Sequence, residues 1–158
     1  MKTEKSEESR HLILKVSGPI DEDSIFPQVS APVGGDVVVD LDKVTIINSC
    51  GVREWVRWIA PLAATAPVVL RSCPKSIIDQ ANTVEGFLPK GVKVESFYVS
   101  YYCDKCGASM AIPFQTDNVA SNRKKAIPVE IVCTHCKKAG AEIDVVPQKY
   151  FLFLENAG

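Results

Sequence analysis

The sequence predicts an α/β protein: a mixed or mainly parallel sheet with packed helices, followed by a small all-β unit held by a metal. Three observations carry this. Val37, Val38 and Val39 are consecutive and β-branched, as in a buried strand, and an amphipathic helix pattern follows them. The same alternation of strand and helix continues to about residue 100, which favours parallel strands joined by crossover helices. Beyond Tyr101 the helical periodicity stops, and two Cys-x2-Cys pairs appear in a β-rich remainder. The expected divisions are a frayed, charged tail over 1–10, the α/β unit over 11–100 and the metal unit over 101–158.

His11 to Val16 reads as the first strand, ended by Ser17-Gly18-Pro19. Asp21 to Ser24 reads as a polar loop or helix start, with Ile25 and Phe26 as anchors. Pro27, Pro32, Gly34 and Gly35 exclude long regular structure before the central strand at Asp36. Asn48, Ser49 and Gly51 then supply turn and capping chemistry. Val52, Trp55, Val56 and Ile59 share one helical face, while Arg53, Glu54 and Arg57 point away from it. Trp58 lies off the apolar stripe, either as an exposed anchor beside the arginines or packed on the sheet edge. Pro61 predicts an end or kink between Ile59 and Leu62.

Pro67 to Arg71 is the next strand. Pro74 suits a first helical turn. Ile77, Ile78, Ala81 and Val84 form the inner stripe of a second helix, with Gly86 just past its end. Cys73 reads as a buried apolar filler. Gly91 to Val99 is a further strand. After Tyr101 come an apolar run over Ala108 to Phe114, a polar loop over Gln115 to Lys125 and a strand over Pro128 to Val132. A final β-rich run covers Ala141 to Val146 and Lys149 to Leu154.

The order Asp40-Leu41, Val44, then Asn48-Ser49-Cys50-Gly51 and a helix resembles the signature of the STAS domain, the fold of anti-sigma factor antagonists. In that family the turn usually reads Asp-Ser-Ser-Gly, and a partner kinase phosphorylates the second Ser. Here Asn48 and Cys50 stand at two of the four positions. The resemblance covers about residues 10 to 100. It implies a non-enzymatic, bacterial signalling module. Its protein partner, an anti-sigma-type kinase or another signalling protein, would dock on Asn48, Ser49, Cys50, Gly51, Arg53, Arg57 and Trp58. Cys50 does not supply the family's phosphoacceptor hydroxyl; Ser49 offers one a residue earlier. A phosphate at this helix start would meet unpaired N–H donors and a favourable dipole.

Cys103, Cys106, Cys133 and Cys136 form two knuckles able to aim four thiolates at one ion, with 26 residues between the pairs. The segment resembles a zinc ribbon, and the expected cofactor is Zn²⁺. Iron in a rubredoxin-like or iron–sulfur site and disulfides are the alternatives. Four thiolates close the coordination shell, so the metal is expected to be structural. It would contribute roughly 10–16 kcal/mol of folding energy to a unit with little core of its own. His135, inside the second knuckle, reads as a bystander.

The 158-residue chain carries a net charge of −1, which argues against binding nucleic acid or anionic membranes by bulk charge. The polar N-terminus lacks the apolar core of a secretory signal, so a reducing cytosol is the expected compartment. Residues 101–158 hold seven basic and six acidic side chains, so the ribbon is not a basic module, although Arg123-Lys124-Lys125 with Asn118 and Asn122 makes a local basic patch. Three functions compete: a protein-docking regulator, with the ribbon as a second or dimer contact; a nucleic-acid-associated factor acting through the ribbon; and a thiol redox sensor using Cys50 or the four clustered cysteines. Cys50 sits where a helix N-terminus favours a thiolate, but neither His11 nor His135 lies near it in sequence.

Overall fold

The computed structural model describes residues 1–121 and 126–156. It is a mixed α/β structure with two sheets. The first holds β1 (Lys2–Glu8), β2 (His11–Ile20), β3 (Asp36–Ile47), β4 (Val68–Arg71) and β5 (Val92–Val94), in that spatial order. β1 runs antiparallel to β2, and all the other pairs are parallel. Helix α1 (Ser49–Thr65) joins β3 to β4, and α2 (Lys75–Thr83) joins β4 to β5. The second sheet is antiparallel, in the order β7 (Ala108–Gln115), β6 (Ser96–Cys103), β9 (Ala139–Ile143), β8 (Glu130–Val132).

Leu12, Leu14, Val37, Val39, Leu41, Val68 and Leu70 point alternately from the strands into one buried layer. Trp55 and Ile59 of α1 and Ile77 and Ile78 of α2 join them in the same core cluster. Trp55 stacks on Phe87 at 5.3 Å, and its indole N–H donates to the Phe87 carbonyl at 3.0 Å. The buried ring thus has its one polar group satisfied, and truncating it to Ala would cost about 3–5 kcal/mol.

Several expectations are corrected. The N-terminal tail is not frayed: residues 2–8 pair with β2 along their whole length. Its charged, exposed side chains mark an edge strand protected by charge, which a search for apolar alternation passes over. β2 continues through Gly18, whose φ of +83° accommodates a register shift, to Ile20. Helix α1 passes through Pro61 and ends at Thr65. Pro61 and Arg57 are both exposed, so water can satisfy the Arg57 carbonyl that Pro61 leaves without a donor.

The expected strand over Gly91 to Val99 is two strands in two sheets. At Glu95 the chain changes sheet: its N–H donates to Leu70 in the first, and its carbonyl accepts from Thr116 beside the second. β6 therefore runs straight through the composition change at Tyr101. The segment after Gln115 is not wholly loop, since α3 (Thr116–Ser121) lies there; Arg123, Lys124 and Lys125 fall outside the described residues. The C-terminal β-rich run is also corrected. Only β9 is strand, and α4 (Pro147–Tyr150) and α5 (Phe153–Asn156) follow, so the C-terminal part is not all-β. Pro147 at the first helical position favours that start.

These turns close the molecule. The Asn82 amide of α2 donates to the Tyr150 carbonyl at 2.8 Å and its oxygen accepts from the Phe153 N–H at 2.7 Å. Phe97 of β6 meets Phe151 and Phe153 edge to face. Buried residues of both sheets form one contiguous core.

Candidate metal centre and docking surface

The two knuckles are built alike. In the first, the Gly107 N–H donates back to the Cys103 carbonyl at 2.8 Å, with Gly107 at φ +70°. In the second, the Lys137 N–H donates to the Cys133 carbonyl at 3.0 Å, with Lys137 at φ +60°. Each positive φ turns the chain out of a tight loop that has brought two thiols to one side. β6 ends at Cys103 and β8 ends one residue before Cys133, so the sheet holds the knuckles face to face. The Lys105 ammonium ties them by donating to the Ala139 carbonyl.

All four Sγ atoms lie within 4.8 Å of one another, and the pairs Cys103–Cys136 and Cys106–Cys133 are 3.7 Å apart. A tetrahedron of sulfurs about 2.3 Å from a central ion has edges of about 3.8 Å. Two edges match that tetrahedron and the others lie within 4.8 Å, so the donor set could hold a metal ion, and 3.7 Å is far longer than a disulfide bond. Cys103 and Cys133 are fully buried; Cys136 is half-buried and Cys106 exposed. Backbone N–H groups of Cys136 and His135 pull the Cys133 thiol down to about 6. The Ala108 N–H pulls Cys106 down, but desolvation and the three neighbouring sulfurs outweigh it and leave that thiol up at about 11. The Cys133 sulfur is thus ready as a thiolate, whereas Cys106 resists adding charge beside it unless a cation arrives. The four-cysteine cluster does not include His135, whose side chain is exposed.

The second predicted site surrounds the start of α1. Asn48 is the N-cap: its Oδ1 accepts from the Gly51 N–H at 2.8 Å, and its amide donates to Glu22 at 2.8 Å. The bond from Asn48 holds the Glu22 carboxyl below its ordinary range. Gly51 is buried; a Cβ there would lie 2.2 Å from the Ile20 carbonyl oxygen, so glycine lets the helix start abut the end of β2. Asn48 and Ser49 are exposed, Cys50 half-buried, and Arg53 and Arg57 exposed on the next turn, sharing Glu54 at 3.3 and 3.1 Å.

Trp58 stands apart from the others. It stacks on Phe26 at 4.8 Å and donates its indole N–H to the Pro27 carbonyl at 2.8 Å, pinning the loop after β2. That loop brings in a residue sequence reasoning assigned to anchoring: Ile25 is 85% exposed. Cys73 is fully buried, and desolvation raises its thiol far above the ordinary range, in line with a packed filler. His11 hydrogen-bonds Asp36 at 2.6 Å and is not at the α1 start.

The opposite sheet face carries an alternating row. Glu4 opposes Lys15, Lys15 lies beside Asp40, Asp40 beside Arg71, and Arg71 donates to Glu95 at 2.7 Å. Such a face is neutralised within itself. Among the described residues, no helix is long and apolar enough to cross a membrane. Comparison with family models, with curated proteins and with solved structures finds no match.

Proposed function

We propose that the chain is a non-enzymatic regulatory module of the cytoplasm, similar to STAS-type anti-sigma factor antagonists, that docks a protein partner on the lip from Asn48 to Gly51 and on Arg53 and Arg57. One observation carries this reading. Asn48 and Ser49 are exposed on a fixed support, with Cys50 half-buried and Gly51 buried beneath them: Asn48 caps the helix and grips Glu22, Gly51 abuts Ile20, and the Ser49 hydroxyl has no hydrogen-bond partner among the described residues. A surface fixed before binding loses less entropy when a partner arrives. The Asp40-Leu41, Val44 and Asn48-to-Gly51 order, and the strand–turn–helix placed on it, support the family reading. The four cysteines would hold Zn²⁺ as a staple for the second sheet; the sulfur spacing suits tetrahedral zinc and iron alike, and zinc is chosen for its redox-inert, closed tetrathiolate sites.

The test is site-specific photo-crosslinking in the native cells, with the probe at Ser49 or, as a control, at Lys15 on the self-neutralised face. The reading expects a discrete crosslinked protein from position 49 and none from position 15. The same pattern from both positions, or no product from position 49, would count against it.

A further inference from the structure

The two knuckles of the metal centre are built alike but are not covered alike. Cys103 and Cys133 are fully buried and Cys136 is half-buried, whereas Cys106 is exposed, on a tip whose residues Asp104 to Gly107 are all exposed. A centre that only staples the sheet gains nothing from an open sulfur. The open sulfur also has a fixed neighbour. Cys133 Sγ, in the opposite knuckle, lies 3.7 Å from Cys106 Sγ. The Cys133 backbone is held twice, its N–H donating to the Lys138 carbonyl at 2.9 Å and its carbonyl accepting from the Lys137 N–H at 3.0 Å. The Lys105 ammonium ties the exposed tip to Ala139, so the two sulfurs stay opposed. Oxidants select the thiolate they can reach, and a sulfenic acid with a thiolate beside it closes to a disulfide.

We propose that Cys106 is an oxidation site and that Cys133 resolves it, so that a peroxide opens the metal centre. The Cys106 sulfur attacks one peroxide oxygen; the O–O bond breaks, hydroxide leaves and Cys106 becomes a sulfenic acid. The Cys133 thiolate then attacks the Cys106 sulfur, the S–O bond breaks and a second hydroxide leaves. The two sulfurs have given up two electrons, the peroxide has taken them, and two protons from solvent turn the hydroxides into water. Neither sulfur of the disulfide remains a thiolate ligand, and Cys103 and Cys136 alone do not close a tetrahedral shell. A dithiol reverses the step by exchange. The inference rests on the four-cysteine zinc reading and is independent of the docking lip.

The test adds hydrogen peroxide to the zinc-loaded full chain beside a chromophoric chelator, and maps the bonds formed by mass spectrometry. One zinc should leave each chain as two thiols are lost, with Cys106 joined to Cys133, and a dithiol with added zinc should restore both. Cys106→His keeps four ligands, in an ordinary structural zinc set. It should slow release about tenfold or more, since attack must then fall on a more covered sulfur. Mapping on the wild-type chain decides the outcome even where that variant holds no ion. Zinc retained while peroxide oxidises other thiols overturns the proposal. So does a first disulfide that leaves out Cys106 or Cys133, or release from Cys106→His as fast as from the wild type. A reduced chain that takes up no zinc overturns the proposal together with the metal reading; the other failures leave that reading standing.

Discussion

Three residues set the chemistry of the lip. Gly51 is required by space, since any Cβ would meet the Ile20 carbonyl at 2.2 Å and the backbone cannot yield cheaply. Gly51→Ala should destabilise by about 2–3 kcal/mol, as overpacking does, read as a lower urea midpoint. Asn48→Ala should cost about 1 kcal/mol through loss of the cap. Ser49→Ala should leave the midpoint within error, because its hydroxyl bonds nothing among the described residues; a large loss would assign Ser49 to structure. At the metal centre, binding needs thiolates, so protons compete with the ion and affinity falls as pH falls. Cys133 is already at about 6 without metal, and a bound cation lowers it further. Release to a chromophoric chelator should therefore increase as pH is lowered, and release independent of pH would contradict the four-thiolate assignment. The cysteines and the lip were legible in the sequence because their signals are local: fixed spacing, a cap residue, a glycine. The exposure of Ile25 and the burial of half of Trp58 were not, because both depend on a loop crossing the helix from 30 residues away.

At the scale of elements, β2, β3, β4, α1 and α2 follow the sequence pattern, whereas the ends of β2 and α1 do not. Pro61 illustrates why. It removes one helical bond, but the bond it removes faces solvent, and Leu62 still contributes to the buried face beyond it. Tertiary packing overrides the local preference. Pro61→Ala should stabilise the protein by about 1–2 kcal/mol, the restored bond and propensity exceeding the added freedom of the unfolded chain. A lower melting temperature in that variant would show the proline to be fitted to its place. β1 escaped notice because a charged edge strand has no apolar alternation. The C-terminal turns escaped because their order comes from Asn82, 68 residues before Tyr150 and 71 before Phe153. Asn82→Leu removes both bonds and strands a buried N–H and carbonyl. It should cost about 2–4 kcal/mol and release protection of amides 150–155 in hydrogen exchange; unchanged protection would refute the clamp.

Across the whole molecule, the two sheets share one buried core. The chain leaves the first sheet at Glu95, and β6 carries Phe97 into the shared core and ends at Cys103 in the cysteine cluster. The Tyr98 hydroxyl donates to Asp42 at 2.5 Å, and the Tyr150 hydroxyl donates to the Tyr98 carbonyl at 2.5 Å, so side chains bridge the same junction. Removing the metal should therefore lower the melting temperature of the first sheet as well as the second, seen as one transition moving down by calorimetry. Two separated transitions, with only the lower one metal-dependent, would contradict this. Composition alone suggested a boundary at Tyr101, because residue types change there while the backbone hydrogen bonding does not.

The proposed function requires that a partner protein be held at the start of α1. The direct measurement is the affinity of a partner captured by the probe at position 49 for the wild-type chain and for a Ser49→Arg, Arg53→Glu variant of unchanged melting temperature. The account predicts binding weaker by roughly 30-fold or more in the variant, the scale of a lost hot spot. Equal affinity for the two chains would place the partner elsewhere on the molecule.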